Sequence, residues 1–247
     1  MTLTEKGKGP SFSDADISTI VTAAVKETVS RIRKDASLKE PVEEAYVATG
    51  KSYPLATSYL SDAAKKHHEQ LYKGYAEVLT RVSIEADSAD KQNVSSAHSM
   101  YRAIKRDEAY NLNATYLHEL YFANCFDINS ELFQDFDAFV WLARDWGTFD
   151  AWMKDFMAAA LSARSGWVIC GYSMFLKRLI NVVVDSHDQG VPVGLIPLIV
   201  IDMWEHAYVR DYGADKKAYL TAMMRQINWE VVEDRFDRVS RIKEVVG

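Results

Sequence analysis

Residues 165–202 read SGWVICGYSMFLKRLINVVVDSHDQGVPVGLIPLIVID. Within them SGWVICGYS, LKRLINVVVDS and GLIPLIVID are short, apolar and rich in β-branched residues, with turn residues between them. That is the pattern of three neighbouring strands. The chain around them is helical in its periodicity. Upstream, Leu60, Ala64, Leu71, Tyr72, Tyr75, Val78 and Leu79 predict a helix over 60–82, and a second helical segment runs from Ser95 to about Asn124. Two long helices broken by the polar stretch SIEADSADKQN imply an antiparallel hairpin. Immediately before the strands, DWGTFDAWMKDFMAAALSA sets Phe149, Trp152, Met153, Phe156, Ala159 and Ala160 on one helical face. After them, KKAYLTAMMRQI and WEVVEDRFDRV return to helix, with Asn228 as the cap between. Helices, three strands, then helices predict an α+β fold. Its expected form is an N-terminal antiparallel helical hairpin plus a C-terminal domain with a three-stranded antiparallel sheet and surrounding helices. The expected divisions are an extension over 1–50, the hairpin domain over 51–130 and the α/β domain over 131–247.

The extension begins with an arm, MTLTEKGKGPSF, and continues into a helical pattern carried by Ile17, Ile20, Val21, Ala24, Val25, Val29 and Ile32 behind Ser13 as N-cap. Its expected role is packing or assembly.

The totals narrow the function. The chain has 247 residues, 48% of them hydrophobic and 26% charged, enough to bury a sizeable core. A net charge of −6 argues against nucleic-acid binding, and a small anionic substrate would need a local positive funnel. The two cysteines, Cys125 and Cys170, lack CxxC spacing, so a thiolate zinc site or disulfide scaffold is not expected and a reducing cytoplasm is. The longest apolar run, GLIPLIVI, is too short for a membrane span, and the N-terminus has no basic-then-apolar signal pattern.

Six histidines occur, at 67, 68, 98, 118, 187 and 206. His67 and His68 lie on the first hairpin helix and His118 on the second. Asp202 and His206 stand four apart at the end of the last strand, and His187 lies in the turn before that strand. Three neutral imidazoles and one carboxylate suit iron, manganese or zinc. A carboxylate ending an apolar strand is costly to bury unless paired or metal-bound. Aromatic residues accompany these positions: Tyr75, Tyr121, Phe122, Trp167, Trp204 and Tyr208. On spacing alone, a metal site and a set of histidines that never converge stand level.

The stretch DMWEHAY (202–208) resembles the iron/manganese superoxide dismutase signature D-x-W-E-H-A-Y. The resemblance continues into DYGADKKAYLTAMMRQINWEVVEDRF and includes WGTFDAWMKDFMAAALSARSGWVI, LHELYFAN and HHEQLYKGYAEVL, covering roughly residues 55–240. It implies a mononuclear site, one iron or manganese ion per chain, held by His67, His118, Asp202 and His206. His67 is taken over His68 because it puts Tyr75 at the family's gateway tyrosine. Where the family keeps a glutamine beside the metal-bound solvent, this chain has Ala114 in the iron-type position and His187 in the manganese-type position, so His187 takes that role. Another family pair, a first-helix histidine and a tyrosine across the dimer interface, corresponds to Leu71 and Val209.

The implied function is dismutation of superoxide to dioxygen and hydrogen peroxide, with His187 and Tyr75 as the catalytic residues outside the ligand set. The implied assembly is a homodimer in which Glu205 reaches His206 of the partner subunit, with pairing into a tetramer left open. Two alternatives stand beside it: a metal-holding or structural descendant without activity, and a zinc-dependent hydrolase.

Overall fold

A computed structural model describes residues 48–53, 55–125 and 130–246, with side chains to 242. These residues belong to one compact unit, Tyr46–Gly247. The predicted helix over 13–35 and the arm before it lie outside the described residues. The expected boundary near 130 does not separate two compact units, because the hairpin packs directly on the last strand.

Helix α1 (Asp62–Ser88) starts where Ser61 accepts a hydrogen bond from the Ala64 N–H. Its buried positions are Ala64, His68, Tyr72, Ala76, Leu79, Val82 and Ser83, three or four apart apart from the last step, as a one-sided helix requires. Helix α2 (Met100–Asn124) is capped by Ser99 and begins five residues later than the sequence pattern implies. The two pack together as the expected hairpin. No basic residue occupies the last turn of α2. Arg235 fills that role from 111 residues away in the chain, bonding Asn124 Oδ1 at 2.9 Å and the Leu120 and Leu198 carbonyls at 2.9 and 2.6 Å. A guanidinium at a helix C-terminus opposes the negative end of the dipole and ties α2 to the last strand.

Two helices absent from the sequence reading appear. Helix α3 (Asp137–Trp146) has Phe136 at its N-cap and no side-chain cap of its own. Its free N–H groups are met by Glu233, whose carboxylate accepts from Asp137 N at 2.8 Å and Ala138 N at 2.9 Å. Helix α4 (Phe149–Ser162) follows after Gly147 and buries Trp152, Phe156 and Ala160, as predicted. The second unanticipated helix is α5 (Glu205–Tyr212), directly after the last strand. Helices α6 (Lys216–Arg225) and α7 (Trp229–Val246) close the chain, and Asn228 caps α7 by accepting from Val231 N.

Strands β1 (Trp167–Ser173), β2 (Arg178–Val184) and β3 (Leu195–Asp202) form one antiparallel sheet in the order β2-β1-β3. Central β1 is buried at every residue, which explains its continuous apolar run. Trp167 at the start of β1 pairs with Val184 at the end of β2 and with Asp202 at the end of β3. One end of the sheet therefore carries Trp167, Asp202 and the turn holding His187. Gly166 makes that end possible: its φ is +94°, and a Cβ there would stand 1.9 Å from the Val184 carbonyl oxygen.

Candidate metal centre

Four side chains converge at that end of the sheet. His68 arrives from α1, His118 from α2, Asp202 from the tip of β3 and His206 from the first turn of α5. One ligand atom of each lies within 4.8 Å of all the others. His68 Nε2 is 3.0 Å from Asp202 Oδ2, His206 Nε2 is 3.1 Å from it, and His118 Nε2 is 3.8 Å away. His118 and Asp202 are fully buried, His68 nearly so, and His206 is half-buried.

The first-helix position corrects the sequence reading. His67 is exposed and takes no part in the cluster; His68 does. Neighbouring residues on a helix point 100° apart, so only one of the pair can face inward. Ala64 and Tyr72, each four residues from 68, already marked its face in the apolar pattern. Tyr75 keeps its place without the His67 register. It lies seven residues from His68, close to two full turns, and its half-buried ring is 5.4 Å from His118 and 4.9 Å from His187.

Asp202 is built to be an anion. Burial alone would raise its carboxyl, but the attraction of His206, with hydrogen bonds from His206 and His68, holds it far below the usual carboxylate range. Oδ1 accepts from Trp204 N at 2.8 Å, which leaves Oδ2 to the cluster. Tyr219 donates to the Asp202 carbonyl at 2.8 Å and fixes the strand tip. Burial lowers His118 to about 3 and lowers His68 as well, so both are neutral imidazoles at pH 7. Burial also pulls on His206, but the Asp202 carboxylate outweighs it and its pKa is raised.

Tautomers follow from the partners. His118 Nδ1 donates to the Ala114 carbonyl at 2.6 Å, so its Nε2 carries a lone pair; that atom is buried and has no hydrogen-bond partner among the described residues. Trp167 Nε1 can only donate, and it donates to His187 Nδ1 at 3.0 Å. His187 is therefore the Nε2–H tautomer, and that N–H is a second buried group without a partner among the described residues. His187 is fully buried, its ring centroid 5.8 Å from that of His118, and burial lowers its pKa to about 4. Sequence reasoning found His187 but not the Trp167 contact that determines which nitrogen it offers.

Three imidazole nitrogens around a single carboxylate oxygen form a poor apolar core and a good cation site. The unpartnered lone pair of His118 is costly to bury without a partner. The donor set, nitrogen and oxygen with no thiolate, fits iron, manganese or zinc. Phe122 and Tyr121 line it, 5.0 and 5.3 Å from the His68 ring, with Trp167 at 4.9 Å from His118 and Trp204 at 6.0 Å from His206. Tyr208, also expected in this lining, packs at a tilt against Tyr219 instead.

Acid should loosen the metal-free protein. The folded state holds His118 near 3 whereas an unfolded chain protonates it near 6.5, so its stabilising contribution is present above 6.5 and is lost as pH falls toward 3. Asp202, lowered from 3.8, acts in the same direction at lower pH; His206, raised, acts oppositely, favouring the fold below 6.5. With His68 and His118 against His206, the urea midpoint of metal-free protein is expected to fall between pH 7 and pH 4. A midpoint that stays level or rises over that range contradicts the assignment.

Residues 137–235 match the family model described as iron/manganese superoxide dismutases, C-terminal domain. The chain is 33% identical over 193 residues to a protein of Aquifex aeolicus named superoxide dismutase [Fe], covering 75% of this chain and 88% of that one. It is 33% identical over 172 residues to one so named from Cupriavidus metallidurans, covering 69% and 84%. It is also 37% identical over 103 residues to superoxide dismutase [Mn] 2 of Haloferax volcanii, covering 42% and 51%. With 33% identity over three quarters of its length to the Aquifex aeolicus protein, the chain belongs to the iron/manganese superoxide dismutase family.

Proposed function

We propose that the protein converts superoxide to dioxygen and hydrogen peroxide, with His68, His118, Asp202 and His206 holding one iron or manganese ion per chain. The observation that carries this is the convergence of three imidazole nitrogens on Asp202 Oδ2, with His118 Nε2 left unpartnered. A bound iron or manganese ion supplies reversible one-electron redox chemistry, by which one superoxide is oxidised and a second, with two protons, is reduced to peroxide.

The protein's own residues do the rest. Asp202 offsets cationic charge. His187 presents its Nε2–H as a hydrogen-bond donor, because Trp167 occupies the other nitrogen. Burial raises the Tyr75 phenol to about 12, so Tyr75 stays protonated at the mouth and orders the water that delivers protons. Trp167, Trp204, Phe122 and Tyr121 keep bulk water and larger molecules out. Glu205 is exposed beside His206, where it is free to reach the partner subunit's ligand in a homodimer. Val209, 48% exposed, and half-buried Leu71 supply an apolar contact in that interface. The free thiols of Cys125 and Cys170 accord with a reducing cytoplasm.

The test is to reconstitute purified protein separately with iron, manganese and zinc, count metal per chain, and measure superoxide removal. Activity with iron or manganese is expected, and the more active form names the metal. Stoichiometric loading without activity overturns the proposal and assigns the chain to metal holding.

A further inference from the structure

Helix α2 does more than supply His118. Arg106, Tyr110 and Asn113 stand four and three residues apart, on one face of that helix. All three meet the turn after β2. Arg106 Nη2 lies 3.1 Å from Asp188 Oδ2, and Asn113 Nδ2 donates to the His187 carbonyl at 3.0 Å. The Tyr110 ring stands edge-on to the His187 ring, centroids 4.7 Å apart at 77°. From α1, Tyr75 makes a similar contact at 4.9 Å and 71°, and the two phenol rings are 6.2 Å apart. His187 is fully buried while both tyrosines are half-buried, so they form the outer cover of its ring.

The imidazole of His187 is pinned at one atom, Nδ1, by Trp167. A ring held by a single hydrogen bond can pivot about it. Only packing on its remaining sides stops that motion and fixes where Nε2–H points. Tyr75 and Trp204 supply part of that packing, with Trp204 at 5.2 Å; among the described residues the Tyr110 ring is the nearest to His187.

We infer that Tyr110 is a positioning residue: it fixes the direction of the His187 Nε2–H bond while Arg106 and Asn113 hold the backbone of the same turn. His118 lies eight residues further along α2. One rigid helix thus sets both His118 and the orientation of His187, and keeps them in register when other parts of the site move. The consequence for catalysis rests on the proposed dismutase activity; the orientation of His187 does not.

The test uses Tyr110→Ala, Tyr110→Phe and Asn113→Ala in the full chain, with two readouts. The first is nitrogen-15 NMR of histidine-labelled, metal-free protein. His187 is expected as one sharp Nε2–H tautomer in the wild type and in Tyr110→Phe, and as a broadened or doubled signal in Tyr110→Ala. The second is azide titration of the iron-loaded protein by difference absorbance, with kcat/KM measured alongside. Tyr110→Ala is expected to change azide affinity and kcat/KM by about tenfold, the size typical of residues that orient groups around a metal, with Tyr110→Phe near wild type in azide affinity. If Tyr110→Ala does not fold, Asn113→Ala carries the test and is expected to broaden the same signal. A folded variant that only melts earlier, with the NMR signal and azide affinity unchanged, overturns the inference. Wild-type protein without dismutase activity defeats the proposed function but leaves the NMR result to decide this one.

Discussion

Replacing His68 by alanine is expected to abolish metal binding, while the same change at His67 leaves metal content and activity at the wild-type level. The two residues are adjacent and chemically identical, so any difference between them reports orientation alone. His68 is buried, 3.0 Å from Asp202 Oδ2 and within ring contact of His118, Tyr121, Phe122 and His206. Its loss leaves two imidazoles and a carboxylate, and metal per chain is expected to fall below about a tenth of the wild-type value, because affinity here depends on the complete donor set. His67 points to solvent, and an exposed helical substitution changes stability by no more than about 0.5 kcal/mol. Elemental analysis of both variants after the same reconstitution decides it. Metal lost from His67→Ala and retained by His68→Ala would restore the register that places His67 in the site.

The second large effect is expected at Asp202, where alanine and asparagine should differ in an informative way. Both remove the anion that draws three imidazoles together, and both are expected to lose metal and activity. In metal-free protein the two then separate. Alanine leaves the Trp204 N–H without its acceptor and strips His206 of its buried partner. Leaving a buried donor unpaired costs about 1–3 kcal/mol. Asparagine keeps an acceptor for Trp204 N, so it is expected to be more stable than alanine by about that amount, while binding metal no better. Urea unfolding of the two metal-free variants at pH 7 measures the gap. Equal stabilities would mean that the Trp204 contact contributes nothing, and metal retained by either variant would remove Asp202 from the ligand set.

Much of the fold was readable because burial imposes a period. The three strands appear at nearly their predicted limits, since β1 and β3 are apolar runs of the length a buried strand needs. The hairpin helices were legible for the same reason. Helix α3 was not, because its cap is not local: the acceptor for its first N–H groups is Glu233, some 96 residues along the chain. Helix α5 was hidden for a related reason. Its N-cap, Trp204, offers no side-chain bond, and the backbone there is held by Asp202.

The site divides along the same line. The four-residue spacing of Asp202 and His206, the apolar strand ending in a carboxylate, and the place of His118 on the second helix were all present in the chain, because each depends on neighbours in sequence. The choice of His68 over His67 depends on which face of α1 turns inward; Ala64 and Tyr72 mark that face in the chain, while Leu71 and Tyr75, four and eight residues from 67, suit the other register, and packing against α2 and α5 decides between them. The tautomer of His187 depends on Trp167, brought opposite Asp202 by antiparallel pairing, and its orientation depends on Tyr110 from another helix. Residue type and local period are properties of the chain. Which nitrogen points at the centre is a property of contacts between segments 20 to 134 residues apart, and these exist only once the sheet and the hairpin have come together.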